Sequence, residues 1–207
     1  MPDSETIEEY EEKRDFRKTD EPEGDEVEFD WAEERPIFVI QQHDASTMHY
    51  DFRIEVDGVL KSWAVPKGPS TDPSERRLAQ PTEDHPLAYA DFEGTIPEDE
   101  YGGGSVIVWD RGHYRNLKED EAKEGEDVPS VAEQVEDGHA TIWLEGEKLT
   151  GGYALIKTGS GDDDRWLLIK MKDDEADARR NPTSTEPESV KSGRTVEEVA
   201  EEAEGDG

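Results

Sequence analysis

Short runs of alternating apolar and polar residues fill the chain from Pro36 to Met171. These runs are rich in Val, Ile, Trp and Tyr and end at Gly, Asp or Pro, which is typical of β-strands joined by turns. The Asp57-Gly58 step is a hairpin signal. We predict eight strands, at Ile37–Gln42, Met48–Val56, Val59–Val65, Leu87–Glu93, Ser105–Asp110, Ala140–Leu144, Tyr153–Thr158 and Trp166–Met171.

Eight short strands at this spacing predict a mainly β fold, a small antiparallel β-barrel with short helices and flexible acidic termini. We assign the barrel to residues 36–172. Residues 1–35 are predicted to be a mobile acidic arm with a short helix near Thr6–Arg17.

Two further segments are polar and acidic. Residues 119–136 are predicted to be an acidic insertion, loop-like with a helix from Ser130. Residues 173–207 are predicted to be an acidic linker that ends in a helix over Thr195–Ala203. The apolar face of that helix is small, so we expect it to be frayed or detached.

The formal net charge is −33. Residues 37–118 and 137–172, the predicted core, contribute only −7, and the tails and the insertion carry the other −26. This distribution favours adaptation to a salty cytoplasm, where screening suppresses repulsion between acidic side chains. The alternative is a disordered acidic regulator.

Other classes of protein are excluded by composition. The chain has no cysteine, so it can form neither a disulfide framework nor a zinc-thiolate site. It lacks an apolar stretch of the roughly 18 residues that a membrane span needs and an apolar signal-peptide core. We therefore expect a cytoplasmic monomer with no membrane partner.

Candidate chemistry is concentrated in Met48–Val56. Alternate residues of a strand share one face, which places His49, Asp51 and Arg53 together. The opposite face is apolar or aromatic and is expected to pack in the core. His43 precedes His49 by six residues across a predicted turn, within reach of the same site.

Two imidazoles and a carboxylate suit a divalent transition metal such as Mn²⁺, Fe²⁺ or Zn²⁺. The alternative is a salt-bridged polar strand face with incidental histidines. Beside a metal, Arg53 suits a phosphate, which a guanidinium can hold with two hydrogen bonds. Lys67 and Arg77 are further candidates for that anion or else surface cations, and His85 is a candidate general acid, a phosphate ligand or a solvated turn histidine.

Several motifs resemble the phosphoesterase domain of bacterial DNA ligase D. The longest motif extends from Phe38 to Arg53 and reads FVIQQHDASTMHYDFR. The next extends from Asp57 to Pro69 and reads DGVLKSWAVPKGP. The resemblance continues at Lys13–Phe16, Glu21–Pro22, Arg77–Ala79, Glu83–Leu87, Tyr89–Pro97, Tyr101–Gly104, Trp166–Lys170 and Ser192–Thr195.

The resemblance implies a small manganese-binding β-barrel that heals 3′ ends. It would remove a terminal ribonucleoside and then the 3′ phosphate, leaving a 3′ hydroxyl. The implied substrates are DNA primer-template ends, and Co²⁺ or Zn²⁺ could replace Mn²⁺. The family domain is usually fused to polymerase and ligase domains, and this chain could act alone or beside a separate ligase or polymerase of end joining.

The resemblance also implies roles for individual residues. The metal ligands would be His43, His49 and Asp51, and Arg53 and His85 would hold the reacting phosphate. Further active-site positions matched by motif are Gln41, Lys67, Arg77, Tyr89 and, in the N-terminal arm, Arg14, Asp15 and Glu21.

Two other functions fit part of the pattern. His49, Asp51 and the later His85 could form the 2-His-1-carboxylate site of a non-haem iron oxygenase. The oxoacid-dependent members would need an arginine roughly ten residues after the distal histidine, and the next arginine here is Arg111. The other function is a non-catalytic module that binds nucleic-acid ends, which the intact histidines and Asp51 disfavour.

Overall fold

The computed structural model describes residues 7–24, 35–161 and 163–205. Within them lie nine strands: β1 Ile37–Asp44, β2 Met48–Val56, β3 Val59–Val65, β4 Arg77–Pro86, β5 Gly94–Ile96, β6 Gly104–Asn116, β7 His139–Gly146, β8 Thr150–Lys157 and β9 Trp166–Lys170. The helices are α1 Glu8–Glu12, a 3-10 helix Leu87–Asp91, α2 Leu117–Glu121, α3 Val131–Glu136, α4 Pro182–Thr185 and α5 Val196–Gly205. No helix of the described ranges has the length and apolar character needed to cross a membrane.

The strands form one antiparallel sheet that closes on itself. Their order is β1-β2-β3-β4-β9-β8-β7-β6, and β6 pairs with β1 to complete an eight-stranded barrel. The ninth strand, β5, pairs with the beginning of β6, with Gly94 opposite Val106. The structure confirms the predicted mainly β fold and antiparallel barrel.

Alternation along the strands separates an inner face from an outer one. The inner cluster draws on all eight barrel strands and includes Phe38, Phe52, Trp63 and Trp109. A second cluster lies on the outer face of β1, β3 and β6, where the N-terminal segment and the 3-10 helix cover the sheet with side chains such as Tyr10. The barrel therefore has one outer face shielded from solvent, and polar groups placed there are buried.

The structure differs from the sequence prediction at the fourth strand. We predicted a strand at Leu87–Glu93, where the chain forms the 3-10 helix, and we predicted none at Arg77–Pro86, which is β4. Strand β4 contains two prolines, and most of its other residues are polar. Only Ala79, His85 and Pro86 are buried in it. Its sequence therefore carries little of the apolar alternation by which strands are recognised.

The ends of the chain pack against the barrel where the structure describes them. In the N-terminal arm, Ile7 and Tyr10 are buried against the outer cluster. At the other end, α5 buries Val196 and Val199 against Ile107 of β6. We predicted a frayed or detached helix here, and the difference arises because two valines one turn apart suffice to dock a helix on an apolar strand.

The helix of the acidic insertion is joined to the barrel by apolar and polar contacts. Ser130 and Glu133 form a capping box at the start of α3, which confirms the predicted helix from Ser130. The buried side chain of Gln134 donates to the side-chain oxygen of Asn116 at 2.9 Å and ties the helix to the end of β6.

Candidate metal and phosphate site

The β1–β2 hairpin places four polar side chains in two cross-strand pairs on the outer face of the barrel. His43 lies opposite His49, and Gln41 lies opposite Asp51. Residues opposite each other in an antiparallel pair point to the same side of the sheet. The polar face predicted for β2 is therefore buried beneath the covering segments, while Tyr50, Phe52, Ile54 and Val56 point into the inner core.

The donor atoms of His43, His49 and Asp51 converge within 4.8 Å of one another. Nδ1 of His43 lies 3.6 Å from one carboxylate oxygen of Asp51, and Nε2 of His49 lies 3.5 Å from the other. Two donors bound at about 2.1 Å to one ion are roughly 3 Å apart, so a small contraction would suit them to a shared metal.

Backbone carbonyls orient both imidazoles. Nε2 of His43 contacts the carbonyl oxygen of Gly102 at 2.8 Å, and Nδ1 of His49 contacts that of Thr47 at 2.9 Å. A carbonyl oxygen only accepts, so each of these nitrogens carries a proton and donates it. The lone pair of each neutral ring then lies on the nitrogen facing Asp51, an arrangement typical of metal-binding histidines. The residues present thus fit a divalent ion.

The electrostatics favour a charged Asp51. Burial raises the pKa of its carboxyl group, but Arg53, His43 and His49 outweigh burial and hold that pKa well below its ordinary value. Burial lowers the pKa of His49, and the hydrogen bond and charge of Asp51 reverse this, so that the pKa is raised. The carboxylate therefore attracts a positive charge at this point, which a proton or a metal ion can supply.

Arg53 is held in place by three partners. Its Nε donates to the side-chain oxygen of Gln41 at 2.8 Å, and its Nη2 lies 3.1 Å from Oδ2 of Asp51. Its Nη1 lies 3.1 Å from Nδ1 of His85. Gln41 is fixed in turn, because its amide donates to the carbonyl oxygens of Tyr89 and Phe92. A buried guanidinium is thus positioned beside the candidate metal ligands.

His85 lies between two arginines. Arg53 approaches its Nδ1, and Nη2 of Arg14 lies 3.5 Å from its Nε2. Burial lowers the pKa of this imidazole, and the charges of Arg53 and Arg14 lower it further, so that it is well below its ordinary value. His85 is therefore neutral at neutral pH.

The N-terminal arm supplies one wall of the site. Arg14 pairs with Glu21 at 2.9 Å and with Glu83 at 3.3 Å, and all three side chains are almost fully buried. The Tyr89 hydroxyl donates to Glu21 at 3.0 Å. The arm and the 3-10 helix are thus joined through a common carboxylate.

These side chains enclose a pocket of about 260 Å³. Of the residues predicted from the sequence, seven line it, namely Arg14, His43, His49, Asp51, Arg53, His85 and Tyr89. Gln41 and Glu21 lie behind them and hold Arg53 and Arg14 in place.

Three predicted residues lie outside the pocket lining. Asp15 binds the side chain of its neighbour Arg17 at 2.8 and 2.9 Å. Lys67 is exposed just after β3, and its carbonyl oxygen accepts a hydrogen bond from Arg77 at 2.9 Å. Arg77 begins β4 two residues before the inward-facing Ala79, and alternation therefore gives it the inner side of the sheet.

The structure also brings residues to the pocket that we did not predict. Glu83, Thr82 and Tyr101 line it, and Gly102 contributes the carbonyl that orients His43. Glu83 stands two positions before His85, so the alternation of a strand would have placed both on one face. That signal was lost because β4 was not predicted.

The ligand set differs from the one required by the iron oxygenase alternative. That alternative combined His49 and Asp51 with His85, whereas the converging set among the described residues contains His43. His85 instead contacts Arg53 and Arg14.

Comparison with known proteins agrees with the resemblance noted in the sequence. The sequence model of the DNA Ligase D 3′-phosphoesterase domain matches residues 41–157. The multifunctional non-homologous end joining protein LigD of Pseudomonas aeruginosa is 49% identical over 199 residues, covering 95% of this chain and 22% of the relative. LigD of Mycobacterium tuberculosis is 47% identical over 135 residues, which is 65% of this chain and 16% of the relative.

A third relative, LigD of Mycolicibacterium smegmatis, is 43% identical over 166 residues, covering 79% of this chain and 20% of the relative. This chain spans about a fifth of the length of these relatives. From the matched domain and these identities, we conclude that the chain belongs to the DNA ligase D 3′-phosphoesterase domain family.

Proposed function

We propose that the chain is a metal-dependent phosphoesterase that repairs 3′ ends of DNA. It would remove a 3′-terminal ribonucleoside and then the 3′ phosphate, leaving a 3′ hydroxyl. The proposed cofactor is Mn²⁺, with Co²⁺ or Zn²⁺ as substitutes. The family of the domain supports the reaction class, and the name of the relatives, non-homologous end joining protein, supports DNA ends as substrate.

One observation carries the proposal most directly. Three converging metal donors, His43, His49 and Asp51, share a pocket with the buried guanidinium of Arg53. Metal donors alone fit many reactions, and an arginine alone fits many anions. Together in one enclosed pocket they suit a phosphate ester, whose oxygens can bind a metal and a guanidinium at once.

The metal ion, Arg53 and His85 would each have a separate role at the phosphate. A bound divalent ion would supply Lewis-acid stabilisation of phosphate oxygens and a site for the attacking water. Arg53 would donate to a phosphate oxygen and offset the negative charge that develops on it. His85 can donate or accept a hydrogen bond at that phosphate without adding charge, because burial and the charges of Arg53 and Arg14 keep it neutral.

The wider setting is also a proposal. We place the activity in the cytoplasm, in a monomer whose product serves a ligase or polymerase of end joining. A ligase requires a 3′ hydroxyl, which is the product of the proposed reaction.

The decisive experiment uses a 5′-labelled primer-template whose primer ends in one ribonucleotide. With Mn²⁺ we expect a product shorter by one nucleoside that carries a 3′ phosphate, followed by its conversion to a 3′ hydroxyl. Excess chelator should stop both steps. Tight binding of the end without any cleavage in Mn²⁺, Co²⁺ or Zn²⁺ would instead support the non-catalytic end-binding module.

A further inference from the structure

Tyr101 stands at the rim of the candidate pocket with a largely unburied ring. It lines the same pocket as His43 and Arg53. It is 48% exposed, and in the described part of the chain only Leu78, at 43%, is a comparably exposed large apolar side chain. Burial of such a ring in a ligand contact would release its exposed surface from water.

The position of Tyr101 is tied to the metal donors. The next residue, Gly102, accepts the hydrogen bond that orients His43. The turn that carries both is closed by hydrogen bonds from Glu100 to Pro97 and from Gly103 to Glu100, at 3.0 and 3.1 Å. A Cβ at Gly103 would lie 2.7 Å from the carbonyl oxygen of Pro97, so the turn is tightly packed. The backbone that carries the ring is therefore fixed beside His43.

Two cations of the N-terminal arm lie near the ring. Nζ of Lys13 lies over the ring, 4.9 Å from its centroid, and Cζ of Arg14 lies over it at 5.4 Å, so a ligand would contact the part of the ring that stays exposed. Nζ of Lys13 also contacts the Tyr101 hydroxyl at 3.5 Å. An aromatic ring flanked by cations is suited to a group that is flat and adjoins a phosphate, as a nucleobase does.

The size of the pocket indicates which part of a nucleotide would reach Tyr101. Its volume of about 260 Å³ lies just below the roughly 300–1,000 Å³ of sites that enclose a drug-sized ligand. With the phosphate at Arg53, the sugar lies between the phosphate and the base. The base can then reach the rim of the pocket, where the ring is exposed.

We propose that Tyr101 is a stacking platform for the base of the nucleoside whose 3′ oxygen carries the reacting phosphate. This inference rests on the proposed function, and it adds a base-binding subsite to it. Stacking requires no charge on the protein surface, and it provides affinity for a nucleic-acid end in a chain whose net charge of −33 opposes one. Any base offers a ring face, so the subsite tolerates all four.

The test uses an oligonucleotide that ends in 2-aminopurine with a 3′ phosphate, in excess chelator so that no turnover occurs. Quenching of the fluorescent base reports stacking, and titration gives Kd. We expect Tyr101→Ala to raise Kd roughly 5- to 150-fold, the range for loss of one base–aromatic stack. Tyr101→Phe keeps the ring and should bind as the parent protein does, and Leu78→Ala is the matched control for loss of an exposed apolar side chain.

A second substrate isolates the base. On an oligonucleotide whose 3′-phosphorylated terminal nucleotide is abasic, Tyr101→Ala should bind as the parent protein does, as measured by competition with the fluorescent probe. An unchanged Kd on the 2-aminopurine probe, or an equal loss on both substrates, would overturn the proposal. Turnover in Mn²⁺ is scored separately, so an inactive protein that still shows the ring-dependent Kd refutes the proposed function and leaves the stacking contact standing.

Discussion

Nη2 of Arg53 lies 3.1 Å from Oδ2 of Asp51, and both side chains are buried. Asp51 is also a candidate metal ligand. The carboxylate of Asp51 is thus a proposed metal ligand, and it also positions the guanidinium that is proposed to bind phosphate. The pair fixes the distance between the two functions and leaves little freedom for either to move.

Arg53→Ala should therefore lower the rate of 3′-end processing about 100-fold or more, as expected for loss of a charge-stabilising donor. Arg53→Lys should recover only part of the rate, because one ammonium cannot serve Gln41, Asp51 and His85 together. Rates are measured on the labelled primer-template, with folding checked by circular dichroism. The matched control is Arg179→Ala, whose side chain is 92% exposed, and parental rates for Arg53→Ala would refute the phosphate role.

His49→Ala should abolish Mn²⁺ binding and activity together. His49 supplies one of three converging donors, and removing it leaves two. Mn²⁺ binding is measured by calorimetry, and activity is assayed on the same preparation of protein. His139→Ala, which removes an exposed imidazole from β7, should change neither. Retention of a tightly bound ion by the His49 variant would show that the metal site lies elsewhere.

The arm offers two arginines for comparison. Arg14→Ala leaves the carboxylates of Glu21 and Glu83 buried without their cation, which costs roughly 3–5 kcal/mol. We expect lower urea stability, or release of residues 7–24 from the barrel detected by limited proteolysis, together with loss of activity. Arg17→Ala, three positions along with a side chain 89% exposed, should leave both unchanged. Equal behaviour of the two variants would contradict the docked arm.

The contribution of His85 to the stability of the apo protein should fall as the pH drops below about 6.5. In the folded state the pKa of His85 is well below that of a free imidazole, so the folded protein binds fewer protons than the unfolded one in this range. The contribution of His85 is thus complete above pH 6.5 and declines below it, by up to about 1.4 kcal/mol per pH unit. His85→Gln should flatten the fall in unfolding free energy between pH 7.5 and 5.5. His139→Gln controls for loss of an imidazole. If the unfolding free energy of His85→Gln falls with pH as steeply as that of the parent protein, the prediction is wrong.

Stability and 3′-end processing should both rise from low salt toward molar KCl or NaCl, because salt screens repulsion within a chain of charge −33. Helix α5 is a suitable place to test the cause, but deletion would remove the buried Val196 and Val199. Glu201→Gln with Glu204→Gln removes two exposed charges instead and should reduce the gain from salt. A neutral osmolyte should not replace salt. Activity that falls steadily above about 0.1 M salt would favour the regulatory interpretation of the acidic segments.

The sequence predicts most of the barrel because strands with one apolar and one polar face carry a clear signal. Met48–Val56 is the best case, since its two-residue alternation gave the strand bounds and the shared face of His49, Asp51 and Arg53. Strand β4 carries no such signal, and Glu83 was therefore not recognised as a neighbour of His85 in the pocket.

The part of the site contributed by the N-terminal arm depends on contacts that local pattern cannot supply. Arg14 approaches His85 across 71 positions of sequence. Only the resemblance to a family pointed to Arg14 and Glu21, because periodicity describes a strand or helix and not where a segment docks. The same limit applies to Arg77, whose side of the sheet follows from the strand that was not predicted.

The candidate site occupies the outside of a closed barrel. Consecutive residues of β2 therefore have different roles, because they point alternately into the barrel and out of it. Tyr50, Phe52 and Ile54 maintain the hydrophobic interior, while His49, Asp51 and Arg53 between them perform the proposed chemistry. Over evolutionary time the interior can drift among apolar residues of similar volume while the side chains of the candidate site stay in place. The same scaffold could equally acquire a different reaction by changes on its outer face alone.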